Sequence, residues 1–370
     1  MRRFAFALAA LLTLVAASVT TADARPRKPV GPHVWVIVLE NKSYEETFGP
    51  TSPATYLNNT LVPRGVLLRQ YYGTGHFSLD NYISMVSGQA PNPQTQGDCQ
   101  YYTDFISPNG GALDGNGQAL GNGCVYPKTV STLGDQLNGS GVSWKGYMED
   151  MKTPCRHPAL NTQDDTQKAK AGDQYAARHN PFVYFHSIID DNAGCQSHVV
   201  DLSALSTDLA KNDNTPRFSF ITPNLCNDGH DAPCVDNKPG GLTSADAFLQ
   251  TWVPKITGSP AFKRDGVLIV MFDESDAVPQ SDARYCCHEP SGPNTPLPGM
   301  SGQGGGLMGA VVLSNRFVRA GTVSDEPYNH YSVLRTFEDL YGVTHLGYAG
   351  QAGLQSFGVD VFALGTPRAR

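Results

Sequence analysis

Two apolar runs in this chain end in acid-bearing pairs, and that repetition constrains its fold more than any other feature. The run His33-Val34-Trp35-Val36-Ile37-Val38-Leu39 is followed by Glu40-Asn41, and Val267-Leu268-Ile269-Val270-Met271-Phe272 by Asp273-Glu274. Runs this rich in β-branched and aromatic residues read as strands buried on both faces, the situation of a parallel sheet. In open α/β sheets, ligands bind just beyond the carboxyl ends of the strands. Successive strand side chains point to opposite faces, so both members of a pair serve one site only where the strand has turned into loop. Four such groups converging repel one another unless a cation lies between them. Hard oxygen donors suit a divalent metal or a phosphoryl group. The alternative is that some of them cap helices or pair with Arg284 or Lys42.

Further strands are predicted at Gly65–Gln70, Val142–Tyr147, Phe218–Ile221 and Gly309–Leu313. Helices are predicted at Ser78–Ser87, Thr129–Leu137, Thr243–Ile256 (capped by Thr243 to Asp246, kinked at Pro254) and Tyr331–Tyr341, which Gly342 should stop. Alternation of this kind implies an α/β fold with a largely parallel sheet between helical layers. No linker divides the chain, so residues 25–370 read as one domain. The sequence holds 38 glycines and 26 prolines. With the long segments Pro91–Tyr126, Cys155–His179 and Asp276–Gly306, that composition points to long ordered loops on a scaffold.

Residues 1–24 have the form of a signal peptide: Arg2 and Arg3, an apolar stretch from Phe4 to Val19, and a small-x-small end at Ala22-Asp23-Ala24. No later run reaches the ~20 apolar residues of a membrane span. The expected product is secreted, with no stable membrane anchor. The eight cysteines agree with export. Cys226–Cys234 and Cys99–Cys124 are the preferred local pairs. A zinc site is the rival, but no two CxxC units occur. A net charge of −7 makes nucleic acid a poor partner.

Chemistry-bearing residues cluster in two more segments. Gly75-His76-Phe77-Ser78-Leu79-Asp80-Asn81-Tyr82 opens a predicted helix. A serine there ordinarily caps free N–H groups. Helix N-termini also attract anions, and that field, aided by a metal, activates a serine hydroxyl as nucleophile. Asn81 is placed to donate its amide to a phosphoryl oxygen. Ile221 to Asp231 carries Asp228 and His230, either as ligands or as parts of an Asn/Asp/Gly turn held by a disulfide. His179 and His330 have weaker context.

Seven stretches in this order resemble the phosphoesterase family of secreted acid phosphatases and phospholipases C, within the alkaline phosphatase superfamily. They are VIVLENKSYEETFG, GHFSLDNYISMVSGQ, GVSWKGYMEDM, RHNPFVYFHSI, FSFITPNLCNDGHD, VLIVMFDESD and YNHYSVLRTFEDLYGV. The resemblance implies a three-layer α/β/α sandwich with a central, mostly parallel sheet, alkaline phosphatase-like. It implies a metal at Glu40, Asn41, Asp273 and Glu274, and Ser78 as the nucleophile that forms a phosphoserine. Asn81 would hold a phosphoryl oxygen, and His179, Asp228 and His330 would contact substrate. Many relatives carry a Gly-Gly-His motif ahead of the strand where this chain reads Gly304-Gly305-Gly306-Leu307-Met308-Gly309; the histidine is missing, which puts a second metal or one phosphate contact in doubt.

The sequence is thus expected to encode a monomeric, metal-assisted phosphomonoesterase acting on small-molecule or lipid phosphate esters, phosphoinositides among them. His76 or His230 would protonate the leaving group. The donor set admits Ca²⁺, Mg²⁺, Mn²⁺ or Zn²⁺. The alternatives are a phospholipase C-type phosphodiesterase on the same site and, more remotely, a non-catalytic binding protein. A sulfatase is disfavoured, because no Cys-x-Pro-x-Arg-like segment surrounds Ser78.

Overall fold

The structure, a computed structural model, describes residues 31–275, 282–295, 304–363 and 365. The expected signal peptide lies outside them, as does part of the expected loop Asp276–Gly306.

Eight strands form the main sheet: β1 His33–Leu39, β2 Val66–Leu68, β3 Trp144–Met148, β4 Val199–Asp201, β5 Phe218–Thr222, β6 Gly266–Phe272, β7 Ala310–Leu313 and β8 Thr322–Ser324. Their order is β8-β2-β7-β6-β1-β5-β3-β4. Only β7 runs against the rest, pairing antiparallel with both β6 and β2. β1 and β6, the two runs with acidic ends, are neighbours in the middle of the sheet. Leu39 pairs with Phe272, so Glu40 and Asp273 leave their strands at the same level. β5 flanks β1 on its other side, with Ile37 opposite Ile221. The three acid-bearing segments therefore emerge side by side from one edge.

Helical layers cover both faces. Val34 and Phe218 are register partners, as are Trp35 and Ser219, so Trp35 and Phe218 face opposite ways. Phe218 packs against Phe337 and Tyr341 of α5, His330–Tyr341, and Phe220 meets Tyr82 of α1, Ser78–Ser87. Trp35 instead meets Phe262 of α4, Pro260–Asp265, which follows α3, Gly241–Gly258. The expected α/β/α sandwich is the architecture found.

Departures from the predicted boundaries have local causes. The helix expected over Thr129–Leu137 starts at Leu133, because Thr132 and Asp135 form the capping box. The cap expected from Thr243 and Asp246 does not form. α3 opens two residues earlier, and Asp246 accepts from Tyr56 N and Leu57 N, each at 2.8 Å. Pro254 sits inside that helix. The edge strands β4 and β8, three residues each, gave no periodic signal.

Disulfides join Cys99–Cys124, Cys155–Cys195, Cys226–Cys234 and Cys286–Cys287, the first and third as expected. No cysteine is left free as a zinc thiolate. Among the described residues, no helix is long and apolar enough to cross a membrane.

At the opposite edge, one carboxylate ties the starts of the three central strands. Asp265 precedes β6 and lies 2.6 Å from His33 Nδ1 of β1 and 3.1 Å from Arg217 Nη1, just before β5. Burial pushes its pKa up. The hydrogen bond from His33 and the charges of His33, Arg264 and Arg217 outweigh that and hold it at about 2. An unfolded aspartate titrates near ~3.9, so this stabilisation is complete above that pH and disappears as pH falls towards about 2. Asp265→Asn is expected to cost about 1–2 kcal/mol at pH 7, after allowance for partial exposure. Urea unfolding across pH should show the gap from wild type closing below pH ~4. A gap that stays constant down to pH ~2 contradicts this assignment.

Candidate active site

The ends of β1 and β6 are locked together before their side chains meet anything else. Asp273 N donates to Leu39 O at 3.0 Å, and Lys42 N to Glu274 O at 3.1 Å. Asp273 Oδ1 accepts from Asn41 N at 3.1 Å and Glu274 N at 2.7 Å. Asn41 leaves β1 with φ 50°, the left-handed turn that lets both members of the pair face one site. Glu40 N donates to Asp228 O at 2.9 Å, which draws the loop after β5 into the same group.

α1 enters from the opposite side. Its preceding residue, Phe77, has φ 90°, a strained value for a residue that is not glycine. The strain is held by Glu274 Oε2, which accepts from Phe77 N at 2.9 Å, and by Asn81, whose Oδ1 accepts from Thr74 N and Gly75 N. This turn delivers Ser78 to Glu40: Ser78 Oγ donates to Oε2 at 2.8 Å. One helical turn on, Tyr82 donates to Oε1 of the same carboxylate at 2.5 Å. His179 Nε2 lies 3.4 Å from Glu40 Oε2, and its Nδ1 lies 3.1 Å from Asp228 Oδ2.

The electrostatics are unfavourable as they stand. Glu40, Asp228, Asp273 and Glu274 each have 0% of their surface exposed. Burial, then mutual repulsion with Asp273 and Asp228, drives the Glu40 pKa well up. Burial followed by the Asp273 and Asp80 charges does the same to Glu274. Burial also pushes Asp228 well up and Asp273 up. His179 is held well below its ordinary range by burial, with Arg178 and His230 adding to the effect.

Such a set fits a cation. Asp273 Oδ2 and His179 Nε2 are buried without a hydrogen-bond partner. Ligand atoms of Glu40, His179 and Asp228 lie within 4.8 Å of one another. The Asp273 and Glu40 carboxyls are close enough to act on each other's titration. Asn41 can turn its amide nitrogen towards Glu274 Oε1 and Asp273 Oδ1, each at 3.2 Å, or present its oxygen as one more hard donor. A histidine that gives its second nitrogen to a carboxylate, as His179 does to Asp228, is the usual metal-bound arrangement.

The model of the phosphoesterase family matches residues 51–344. The chain belongs to that family. A phosphate-repressible acid phosphatase of Penicillium chrysogenum is 26% identical over 85% of this chain and 59% of its own length. A phosphatidylinositol-3-phosphatase of Mycobacterium tuberculosis is 26% identical over 88% of this chain and 81% of its own. The chain thus spans well under two thirds of the first of these relatives. A solved structure from Bacteroides thetaiotaomicron, assigned to the sulfatases, superposes with a TM-score of 0.52 at 12% identity over 92% of this chain and 76% of its own. That likeness speaks for the fold alone.

Within this site, the sequence-predicted residues divide. Glu40, Asn41, Ser78, Asp273 and Glu274 converge, joined by His179 and Asp228, which were expected at the substrate. Three residues have other tasks here. Asn81 donates to Gly75 O and Phe77 O at 2.8 and 3.1 Å, so its amide shapes the turn and has no hydrogen left for a phosphoryl oxygen. His330 lies against Asp273 O at 2.5 Å and Tyr71 OH at 3.0 Å, buttressing the end of β6, with burial lowering its pKa to about 4. His76 is engaged at both nitrogens, by Glu274 Oε2 at 3.1 Å and Asp282 O at 2.9 Å, which removes it as a free acid. His230 sits at the rim, Nδ1 at 2.8 Å from Asp231 Oδ1 and Nε2 at 3.2 Å from Arg178 Nη2. Tyr82 and Arg178 escaped sequence reasoning, though Tyr82 follows Asn81 directly and lies four residues after Ser78.

If like-charge burial is the dominant cost at this site, relieving it must stabilise the metal-free protein. Asp273→Asn keeps an oxygen for Asn41 N and Glu274 N, and it turns an N–H towards Glu40. The metal-free variant is expected to gain about 1–3 kcal/mol and to lose the stabilisation that divalent cations give the wild type. Urea unfolding with and without chelator checks both.

Proposed function

We propose that this protein is an exported, metal-assisted phosphomonoesterase with Ser78 as its nucleophile. The observation that carries the proposal is the Ser78 Oγ to Glu40 Oε2 bond of 2.8 Å, made at a helix N-terminus inside a buried carboxylate group. Glu40, Asn41, Asp273 and Glu274, with His179 Nε2, are the groups that would hold the divalent cation, which would screen the phosphate charge and lower the pKa of the serine hydroxyl. The relatives named acid phosphatase and phosphatidylinositol-3-phosphatase support a monoester substrate, phosphoinositides among the candidates. Four disulfides support export.

Glu40 orients the Ser78 hydroxyl by accepting its proton. Ser78 Oγ attacks phosphorus in line, the Oγ–P bond forms, and the bond from phosphorus to the leaving oxygen breaks. The field at the N-terminus of α1 favours the transferred phosphoryl group. His230, with its side chain 32% exposed and Nδ1 held by Asp231, is the solvent-open histidine at the rim and the one assigned to protonate the leaving alkoxide. A phosphate that draws Arg178 aside frees its Nε2 to carry the proton. Water then attacks the phosphoserine and gives a proton to His230 as the Oγ–P bond breaks, phosphate leaves, and the proton held by Glu40 returns to Ser78 Oγ.

Ser78→Ala is expected to lower kcat on 4-nitrophenyl phosphate by at least ~10³-fold without loss of folding. Turnover within about twofold of wild type overturns the proposal.

A further inference from the structure

We propose that Tyr82 is a positioning residue whose phenol fixes the Glu40 carboxylate so that Oε2 stays turned to Ser78 and the cation site. Because it takes Glu40 as a cation-holding group beside the nucleophile, this rests on the function proposed above.

A free glutamate carboxylate turns readily about its last torsion. Glu40 is instead held at both ends by hydroxyls from one helix. Ser78 and Tyr82 lie four residues apart on α1, so they share a face. Ser78 donates to Oε2 at 2.8 Å and Tyr82 to Oε1 at 2.5 Å. Either hydroxyl alone would let the carboxylate swing about its single hydrogen bond; the pair fixes its plane and keeps one oxygen on the nucleophile.

The phenol is itself immobile. Tyr82 is fully buried, stacked on His179 with ring centroids 5.4 Å apart and planes within 6°, and edge-on to Phe220 at 6.1 Å. The same ring thereby sets the plane of His179, whose Nε2 faces Glu40 Oε2. One side chain thus orients two prospective ligands, Glu40 through its hydroxyl and His179 through its face. A tyrosine that only filled the core would need some partner for its phenol, but not one shared with the nucleophile, nor the parallel stack on His179.

Tyr82→Phe separates these roles, since it keeps the ring and removes the hydroxyl. Tyr147→Phe is the control. It removes a phenol–carboxylate bond of 2.7 Å, to Asp208, on a strand away from the site. Mn²⁺ is titrated into each metal-free protein by calorimetry, and kcat and KM are measured on 4-nitrophenyl phosphate. Tyr82→Phe is expected to raise the Mn²⁺ Kd by about 10–100-fold and to lower kcat by a similar factor, with KM within about threefold. Tyr147→Phe should leave all three within about twofold at a comparable loss of Tm. A Tyr82→Phe protein with wild-type Mn²⁺ Kd and kcat overturns the inference, as does a wild type that binds no Mn²⁺. If Ser78→Ala retains turnover, the nucleophile assignment falls, and the Mn²⁺ titration alone still decides the role of Tyr82.

Discussion

Repulsion among buried carboxylates is the constraint on which this architecture turns. Glu40, Asp228, Asp273 and Glu274 are withdrawn from water at one edge of the sheet, and burial raises the pKa of each. Leaving one buried carboxylate uncompensated costs several kcal/mol. The surrounding fold over-determines the positions of all four. β1 and β6 form an in-register parallel pair buried along its full length. The basal network around Asp265 fixes the other end of the same strands.

The strain at the site follows from that constraint. Asn41 and Phe77 both take positive φ, and each backbone N–H is received by one of the crowded carboxylates, Asp273 and Glu274. The acidic groups therefore serve first as acceptors that bend the chain, and only their remaining lone pairs point inward. His330, His76 and Asn81 belong to this holding work. Ser78, Tyr82 and His179 converge on Glu40 and leave the chemistry to a small, rigid set.

The central strands were legible in the sequence because buried parallel strands are continuous apolar runs, and Val267–Phe272 matches the observed strand to within one residue. Segments whose identity depends on tertiary partners were not. β4 and β8 are three-residue edge strands without periodicity, and the cap expected from Asp246 gives way to backbone donors at Tyr56 and Leu57. At the site, the paired acids announced themselves by repetition. The histidines did not, because a ring's role depends on what faces each nitrogen. His179 and His330 read alike as sequence, yet His179 leaves Nε2 open towards Glu40 while His330 spends both nitrogens on Tyr71 and Asp273. Tyr82 gave no signal of its own, because nothing local shows that its hydroxyl meets a residue 42 positions away.

The account stands on one shared cation among those carboxylates, beside the serine. An anomalous difference map from a crystal soaked in Mn²⁺ tests it most directly. It should show a single strong peak roughly 2.0–2.4 Å from oxygens of Glu40 and Asp273 and within direct reach of Ser78 Oγ. A map without a peak there, with Ser78 still bound to Glu40 and the carboxylates unmoved, would contradict it.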